Sequence, residues 1–346
     1  MAQIKKVGVL TGGGDCPGLN AAIRAIVYKA REYGVQVIGV HRGWAGLMEV
    51  DAHPLTIDEV ADIHKEGGTI IYSSRTNPYK DPTGEAKALE GFKKLGLDAL
   101  IPIGGEDTLG VANKLTKAGL PCVAVPKTID NDLSATDVTI GFNTAVTIAT
   151  EAIDRLHTTA KSHNRIMVVE IMGRHAGWMT LISGLAGGAH AILVPEEKFN
   201  IVDVVKVIEE RKKRGKPYAV IAVSEGALPT DAKDFVTKTK ELDAFGHVML
   251  GGIGDALAKE LSKRCNMEAR AVVLGHTQRG GPPTVYDRIL GTKLGYKAME
   301  MVMEGKFGYM AALKGNDAVP VKLEDAVGKL NTVPAKDIAL AKTFFG

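Results

Sequence analysis

The sequence predicts an α/β protein with a doubly wound, mainly parallel sheet. Three observations carry this. Short apolar runs recur, each closed by glycine and polar residues, at 7–15, 99–107, 122–132, 166–177, 218–226 and 271–281. Runs that do not alternate suit strands buried on both faces, as in a parallel sheet. Helix-like segments lie between several of them, giving the strand–helix alternation of this class. The polar residues gather at the ends of the runs, where open α/β sheets bind ligands. With 346 residues the chain has room for two domains, at roughly 150 residues each.

The elements follow in order. VGVL (7–10) is the first strand. GLNAAIRAIVYKAREYG (18–34) is a helix, with apolar residues at 19, 22, 23, 26, 27 and 30 on one face and Gly34 closing it. The runs beginning at Ala99 and Cys122 are the next strands. TIDNDLSATDVTIGFN is a long polar connection, suited to a hinge or an active-site loop. A helix through TAVTIATEAIDRL then leads toward a second domain, whose strands begin near Ile166, Tyr218 and Ala271. The tail from Val319 onward is amphipathic and carries no motif.

Composition narrows the function classes. Hydrophobic residues at 45% and charged residues at 24% exclude a disordered chain, a collagen-like fibre and a disulfide scaffold. The net charge of +3 gives no reason to expect non-specific nucleic-acid binding. Cys16, Cys122 and Cys265 form no CxxC pair and read as reduced thiols. The first apolar run, Val7 to Leu10, is too short for a signal peptide. No stretch approaches the roughly 18 apolar residues of a membrane span. A cytoplasmic protein is expected.

Five constellations bear chemistry. Gly12-Gly13-Gly14-Asp15-Cys16-Pro17-Gly18 links a strand to a helix, as a phosphate-binding loop would. Pro17 breaks the dinucleotide fingerprint, and Leu19-Asn20 replace the Lys-Ser/Thr of a Walker loop. A phosphate loop of another kind and a tight turn both stay open. Gly104-Gly105-Glu106-Asp107-Thr108 sets two carboxylates beside a glycine turn, fitting Mg²⁺ held mainly by phosphate oxygens. Helix capping by Asp107 or Thr108 is the alternative. In Lys127-Thr128-Ile129-Asp130-Asn131-Asp132 the two aspartates share one side of an extended chain, so one can act as base and the other orient it. An Asx-rich loop is the alternative. Met172-Gly173-Arg174, preceded by Glu170, and His276-Thr277-Gln278-Arg279 offer cations at strand ends for a phosphate or sugar, the alternatives being a surface turn for the first and a buried core histidine for His276. A loop for phosphate, a metal carboxylate, a base and cations are the parts of phosphoryl transfer.

These motifs resemble the phosphofructokinases over nearly the whole chain, from LTGGGDCPGLNAAIR through PKTIDND, IGFNTA, EAIDRL and VVEIMGRHAG to VLGHTQRGG and YDR. The resemblance implies two Rossmann-like α/β/α sandwich domains with the active site in the cleft between them. Residues 1–141 with 278–328 would bind the donor, and 142–277 with 329–346 fructose 6-phosphate. It implies Asp130 as general base, supported by Lys127, Thr128 and Asp132, and a sugar site of Thr128, Met172, Gly173, Arg174, Glu225, His276 and Arg279. Arg165 and Arg270 match arginines that reach the sugar phosphate from a neighbouring subunit, so a homodimer or homotetramer is expected. Gly13 and Arg75 match donor contacts, and Glu106 stands where the family often has a magnesium-binding aspartate. The role of Trp44, which aligns with an aromatic that meets adenine in nucleotide-using relatives, is left open.

Asp107 decides the donor, with Lys127 as weaker support because some ATP-using relatives resemble it there. Together they resemble the pyrophosphate-dependent members. ATP-using members typically have glycine at the first place and often at the second. A carboxylate about 4 Å from a nucleotide α-phosphate would cost roughly 4 kcal/mol at an effective dielectric of about 20, on the order of a thousandfold against ATP. Pyrophosphate ends before that point. The competing readings are an ATP-dependent enzyme with Asp107 turned to solvent, and a non-catalytic phosphosugar sensor, which would need the base removed. Arg24 is kept from the effector pocket of bacterial members, but Tyr28, His157 and His190 replace its other charged residues. Weak or absent control by nucleoside diphosphate or phosphoenolpyruvate is expected.

Overall fold

Most of the apolar runs become strands with both faces covered, but the run at 271–281 differs: Ala269–Val273 lies at the edge of its sheet and none of its residues is buried. All six residues of Ala99–Gly104, of Ile166–Ile171 and of Ala219–Ser224 are buried. The structure is a computed structural model that describes residues 4–231, 237–242 and 248–346, with only the backbone described for 237–242 and 248–249. In chain order, β1 (Lys6–Thr11), α1 (Leu19–Glu32), β2 (Gln36–Val40), α2 (Trp44–Glu49), β3 (Ala52–Leu55), α3 (Ile57–Val60), α4 (Gly84–Lys94), β4 (Ala99–Gly104), α5 (Glu106–Lys117) and β5 (Val123–Pro126) precede the long α6 (Phe142–His163). Next come β6 (Ile166–Ile171), α7 (Trp178–Ala186), β7 (Ala191–Leu193), α8 (Ile201–Lys213), β8 (Ala219–Ser224), β9 (Thr237–Leu242), β10 (Val248–Leu250), α9 (Ile253–Cys265) and β11 (Ala269–Val273). The chain ends with α10 (Val285–Met303), β12 (Tyr309–Lys314), β13 (Asp317–Lys322), α11 (Leu323–Ala326) and α12 (Ala335–Lys342).

The chain divides into two units. The first comprises Met1–Ile129, Leu133–Thr144 and Arg279–Leu330; the second comprises Asp130–Asp132, Ala145–Gln278 and Asn331–Gly346. The first unit holds a sheet in the order β13-β12-β5-β4-β1-β2-β3, parallel throughout except for its two antiparallel edge strands. β2 lies on one side of β1, and β4 with β5 on the other. The loops after β1 and β4 therefore open at a topological switch point, where ligands bind in such sheets. The second unit holds a parallel sheet in the order β11-β6-β8-β7. Its core includes Val168, Ile221, Val223, Leu257 and Leu261.

Local chemistry explains the framework. In α1, Gly34 takes a left-handed φ of 67° and its N–H bonds Arg31 O, closing the helix two residues past Glu32. α10 packs on α1 with backbones touching. A Cβ on Gly291 would lie 2.6 Å from Gly18 O, and one on Gly295 2.4 Å from Ala22 O. Asp287, in the YDR motif, is fully buried and accepts from the Gly141 and Thr144 N–H groups (2.9 and 2.7 Å) and the Thr144 hydroxyl (2.6 Å). It thus satisfies N–H groups that the start of α6 cannot pair within the helix. All three cysteines are free and buried. The tail read only as amphipathic includes most of edge strand β13. No helix among the described residues is long and apolar enough to cross a membrane.

Candidate functional site

In the first unit the predicted donor residues converge on the loop after β1. Gly12 N–H bonds Ile103 O at the end of β4 (3.0 Å), and Gly13 N–H bonds Ser74 O (2.9 Å). Gly13 has a φ of 80°, a left-handed conformation that suits glycine. The Ser73 hydroxyl returns a bond to Gly13 O (2.5 Å), and the Ser74 hydroxyl bonds Arg42 O (2.6 Å). The segment carrying Arg75, itself exposed, is therefore tied to the loop. Lys127, only 2% exposed, lies at the end of β5 and donates to Gly12 O (2.8 Å) and to Gly14 O. Its ammonium is thereby held on the glycine loop, where burial of an unpartnered cation would be costly. Ser73 and Ser74 carry no motif, and sequence reasoning missed them.

Glu106 and Asp107 open α5. Gly105 is the N-cap, so neither Asp107 nor Thr108 occupies the capping position that the alternative reading required. Both carboxylates lie in the first turn, where the helix dipole favours negative charge. Glu106 Oε1 accepts from Gly328 N–H (3.2 Å). A Cβ on Gly105 would stand 3.7 Å from Thr128 Cβ, so the segment Lys127–Asp132 passes beside this turn. No group of three or more His, Cys, Asp or Glu among the described residues is built to hold a metal alone. Hard carboxylate oxygens beside a phosphate loop fit Mg²⁺ that takes its other ligands from phosphate and water. Trp44 is 1% exposed, so its ring packs in the core and presents no face to a base. Arg279 belongs to this unit, with its guanidinium against Gly14.

In the second unit the chain ends of β6 and β8 build another constellation. Gly173 (φ 144°) and Arg174 (φ 51°) form a left-handed turn after β6, and their N–H groups bond Glu225 Oε1 (3.3 and 3.1 Å). Burial first, and then the negative charge of Asp130, push the Glu225 carboxyl from 4.5 up to about 7. Asp130 itself is 6% exposed. Asn131 is left-handed (φ 54°), and Asn331 fixes the segment by donating to Asp132 O (2.8 Å) and Asn131 O (2.9 Å). Asp130, Gly173, Arg174 and Glu225 are thus brought together. Met172 continues the same turn, and His276 is exposed after β11. Glu170, which precedes the turn, points elsewhere: its carboxylate takes the N–H groups of Gly252 and Gly254 at the start of α9.

Arg165 and Arg270 are not part of that constellation. Both pair with Glu268, at 2.7 and 2.8 Å. They stand at the starts of β6 and β11, while Met172–Arg174 and His276 follow the ends. Six residues at about 3.3 Å each separate the two ends of β6 by roughly 20 Å. His190 Nδ1 accepts from Val220 N–H (2.9 Å), and burial, then Arg211 and His157, hold its imidazole down at about 3. It is uncharged at neutral pH, so it offers an anion no positive charge. Arg24 is occupied by Ala61 O (3.0 Å) and stacks over Tyr28, 4.4 Å to the ring centroid.

A family model for Phosphofructokinase matches residues 6–302. The chain is 57% identical to a protein of Amycolatopsis methanolica named pyrophosphate–fructose 6-phosphate 1-phosphotransferase, covering 99% of this chain and 100% of that one. It is 52% identical to a Streptomyces coelicolor protein named ATP-dependent 6-phosphofructokinase 2, covering 98% and 100% of the two chains. Among solved structures, a pyrophosphate-dependent phosphofructokinase from Marinobacter aquaeolei shares the fold, with a TM-score of 0.83, 22% identity, and 96% of this chain and 86% of that one covered.

Proposed function

The chain belongs to the phosphofructokinase family, and from that premise we propose that it moves a phosphoryl group reversibly from pyrophosphate to the 1-hydroxyl of fructose 6-phosphate. The single observation that carries the donor assignment is Asp107 in the first turn of α5, where the next residue, Thr108, packs against Gly12 of the glycine loop. Its carboxylate opposes a nucleotide α-phosphate, and pyrophosphate has none. Lys127, seated on Gly12 and Gly14, supplies the cation that a short, highly charged donor needs. The name of the 57% identical relative agrees with this reading.

The first unit is the donor half and the second the sugar half. The sugar 1-hydroxyl attacks the terminal phosphorus of the donor. Its proton goes to Asp130 as the new O–P bond forms, and the bridging P–O bond breaks to release phosphate. Asp132 and Thr128 orient the base. Gly173 and Arg174 hold Glu225, whose carboxyl bonds a sugar hydroxyl. Met172 packs on the sugar, and His276 takes part in its binding. Gly13 and Arg75 hold the donor. Glu106, with Asp107 beside it, would hold Mg²⁺, which when bound neutralises charge on the donor oxygens. Arg165 and Arg270 serve the sugar phosphate of a neighbouring subunit in a homodimer or homotetramer. Their distance along the strands from Arg174 and His276 supports this role.

The test is fructose 1,6-bisphosphate formation with Mg²⁺, comparing pyrophosphate and ATP at equal concentration. Pyrophosphate should dominate, and Asp107→Gly should gain ATP use, by up to about a thousandfold from the Coulomb estimate. Faster turnover with ATP in the unaltered protein would sink the donor assignment.

A further inference from the structure

We infer that Asn331 is a positioning residue for the general base, holding the Asp130–Asp132 segment in place from the C-terminal part of the chain. The inference rests on the proposed function for the role of Asp130. Asp130–Asp132 belongs to the second unit, although the chain on both sides of it, through Ile129 and from Leu133, belongs to the first. So short a segment needs partners from elsewhere in its own unit. Asn331 opens the C-terminal segment of that unit and supplies two bonds. Its N–H donates to Asp132 O (2.8 Å) and its Nδ2 to Asn131 O (2.9 Å). Both fall on the residues that follow the base. Asn131 is left-handed at φ 54° and only 5% exposed. Asparagine tolerates this conformation better than most residues, but its buried carbonyl still needs a donor. The Asn331 amide provides one.

Asn331 is itself anchored. The Trp178 indole N–H donates to Asn331 O (2.9 Å). Two residues on, Val333 N–H bonds Glu196 Oε1 (2.9 Å), and the same oxygen accepts from Gly177 N–H (2.8 Å). Gly177 is the N-cap of α7 and Trp178 its first residue. They follow directly on the turn that carries Gly173 and Arg174, where Ala176 N–H bonds Gly173 O (2.9 Å). That turn in turn holds Glu225. Every residue in this series lies in the second unit. A continuous path therefore runs from the base segment through Asn331 and Trp178 to the sugar constellation. A base must stand within hydrogen-bond reach, about 2.6–3.2 Å, of the proton it takes. Asn331 sets Asp130 at a fixed place relative to the turn that binds the sugar.

Asn331→Ala removes the amide donor and leaves the backbone bond to Asp132. Turnover should fall about 10–100-fold, the range for a catalytic group displaced by up to about 1 Å. The half-saturations for donor and fructose 6-phosphate should each stay within about threefold, because a misplaced base weakens the transition state and not ground-state binding. Asn331→Asp keeps the shape but turns an acceptor toward Asn131 O, and it should show the same loss. Trp178→Phe should give a smaller loss and add little to Asn331→Ala, since both act on one path. A general loss of folded protein would lower turnover equally in any background, so the deciding comparison uses Asp130→Asn. There Asn331→Ala should cost less than about twofold, because no base is left to position. A fall by the same factor in both backgrounds would overturn the inference. So would unaltered turnover in Asn331→Ala and Asn331→Asp, or a loss confined to the half-saturation for fructose 6-phosphate. If Asp130→Asn itself leaves turnover intact, the base of the proposed function fails and the inference falls with it. If Asp130→Asn is slow and the Asn331 variants are not, only the inference fails. The measurements use whichever donor supports turnover, so they do not depend on the choice of pyrophosphate.

Discussion

Glu225 gives the sharpest quantitative expectation, because its pKa is displaced in the direction that costs stability. Burial and the Asp130 charge raise the carboxyl from 4.5 to about 7 in the folded protein. A raised carboxyl favours the protonated form, so folding is unpenalised below the unfolded value. The cost grows as pH rises from about 4.5 and levels off above about 7. Integrating between those two values, the penalty is about 1 kcal/mol at pH 5 and about 3 kcal/mol at pH 8. Glu225→Gln mimics the neutral form, and its amide oxygen can still accept from the N–H groups of Gly173 and Arg174 as Oε1 does. The variant should therefore be more stable than the unaltered protein at pH 8, by up to about 3 kcal/mol, with the difference shrinking toward pH 5. Urea unfolding of both proteins across that range measures it. Sugar binding should weaken in the same variant, so a residue useful in the site lowers the stability of the fold. A Gln variant that is less stable at pH 8, or a difference that does not change with pH, would refute the reasoning.

Other expectations concern single groups. Asp130→Asn should cut turnover by about 10²–10⁴-fold while fructose 6-phosphate still binds, which steady-state rates and calorimetry separate. The same change removes the second cause of the Glu225 displacement, so that carboxyl should titrate lower in the variant, as carbon-detected NMR would report. Asp287→Ala leaves the buried Gly141 and Thr144 N–H groups without their acceptor and should lower stability by about 2–4 kcal/mol, read from the urea midpoint.

Much of the molecule was legible in the sequence because it depends on short-range chemistry. The buried strands are continuous apolar runs, and α1 shows its one-sided periodicity and its closing glycine. The glycine loop, the Glu106-Asp107 pair and the Asp130 segment stand at strand ends and could be named before any coordinates. Strands β2 and β3 and the β12–β13 pair went unread. They are short edge or near-edge strands whose burial comes from neighbours distant in sequence.

Three outcomes needed the tertiary structure. By residue type alone, Arg165, Arg174, Arg270 and Arg279 are equivalent cations near strand ends, and only the family resemblance sets Arg165 and Arg270 apart. Strand direction separates them, setting Arg165 and Arg270 with Glu268 at the starts of β6 and β11, and Arg174 beside Glu225 at the end of β6. Glu225 has no unusual neighbour in the chain, and its raised pKa arises from burial and from Asp130, 95 positions away. Gly14 looks like one more loop glycine until the returning segment lays Arg279 across it. Residue type and periodicity are properties of the chain itself, and they determined the strands and the chemical inventory. Which charges meet depends on desolvation and on contacts between distant segments, and only the folded chain decides that.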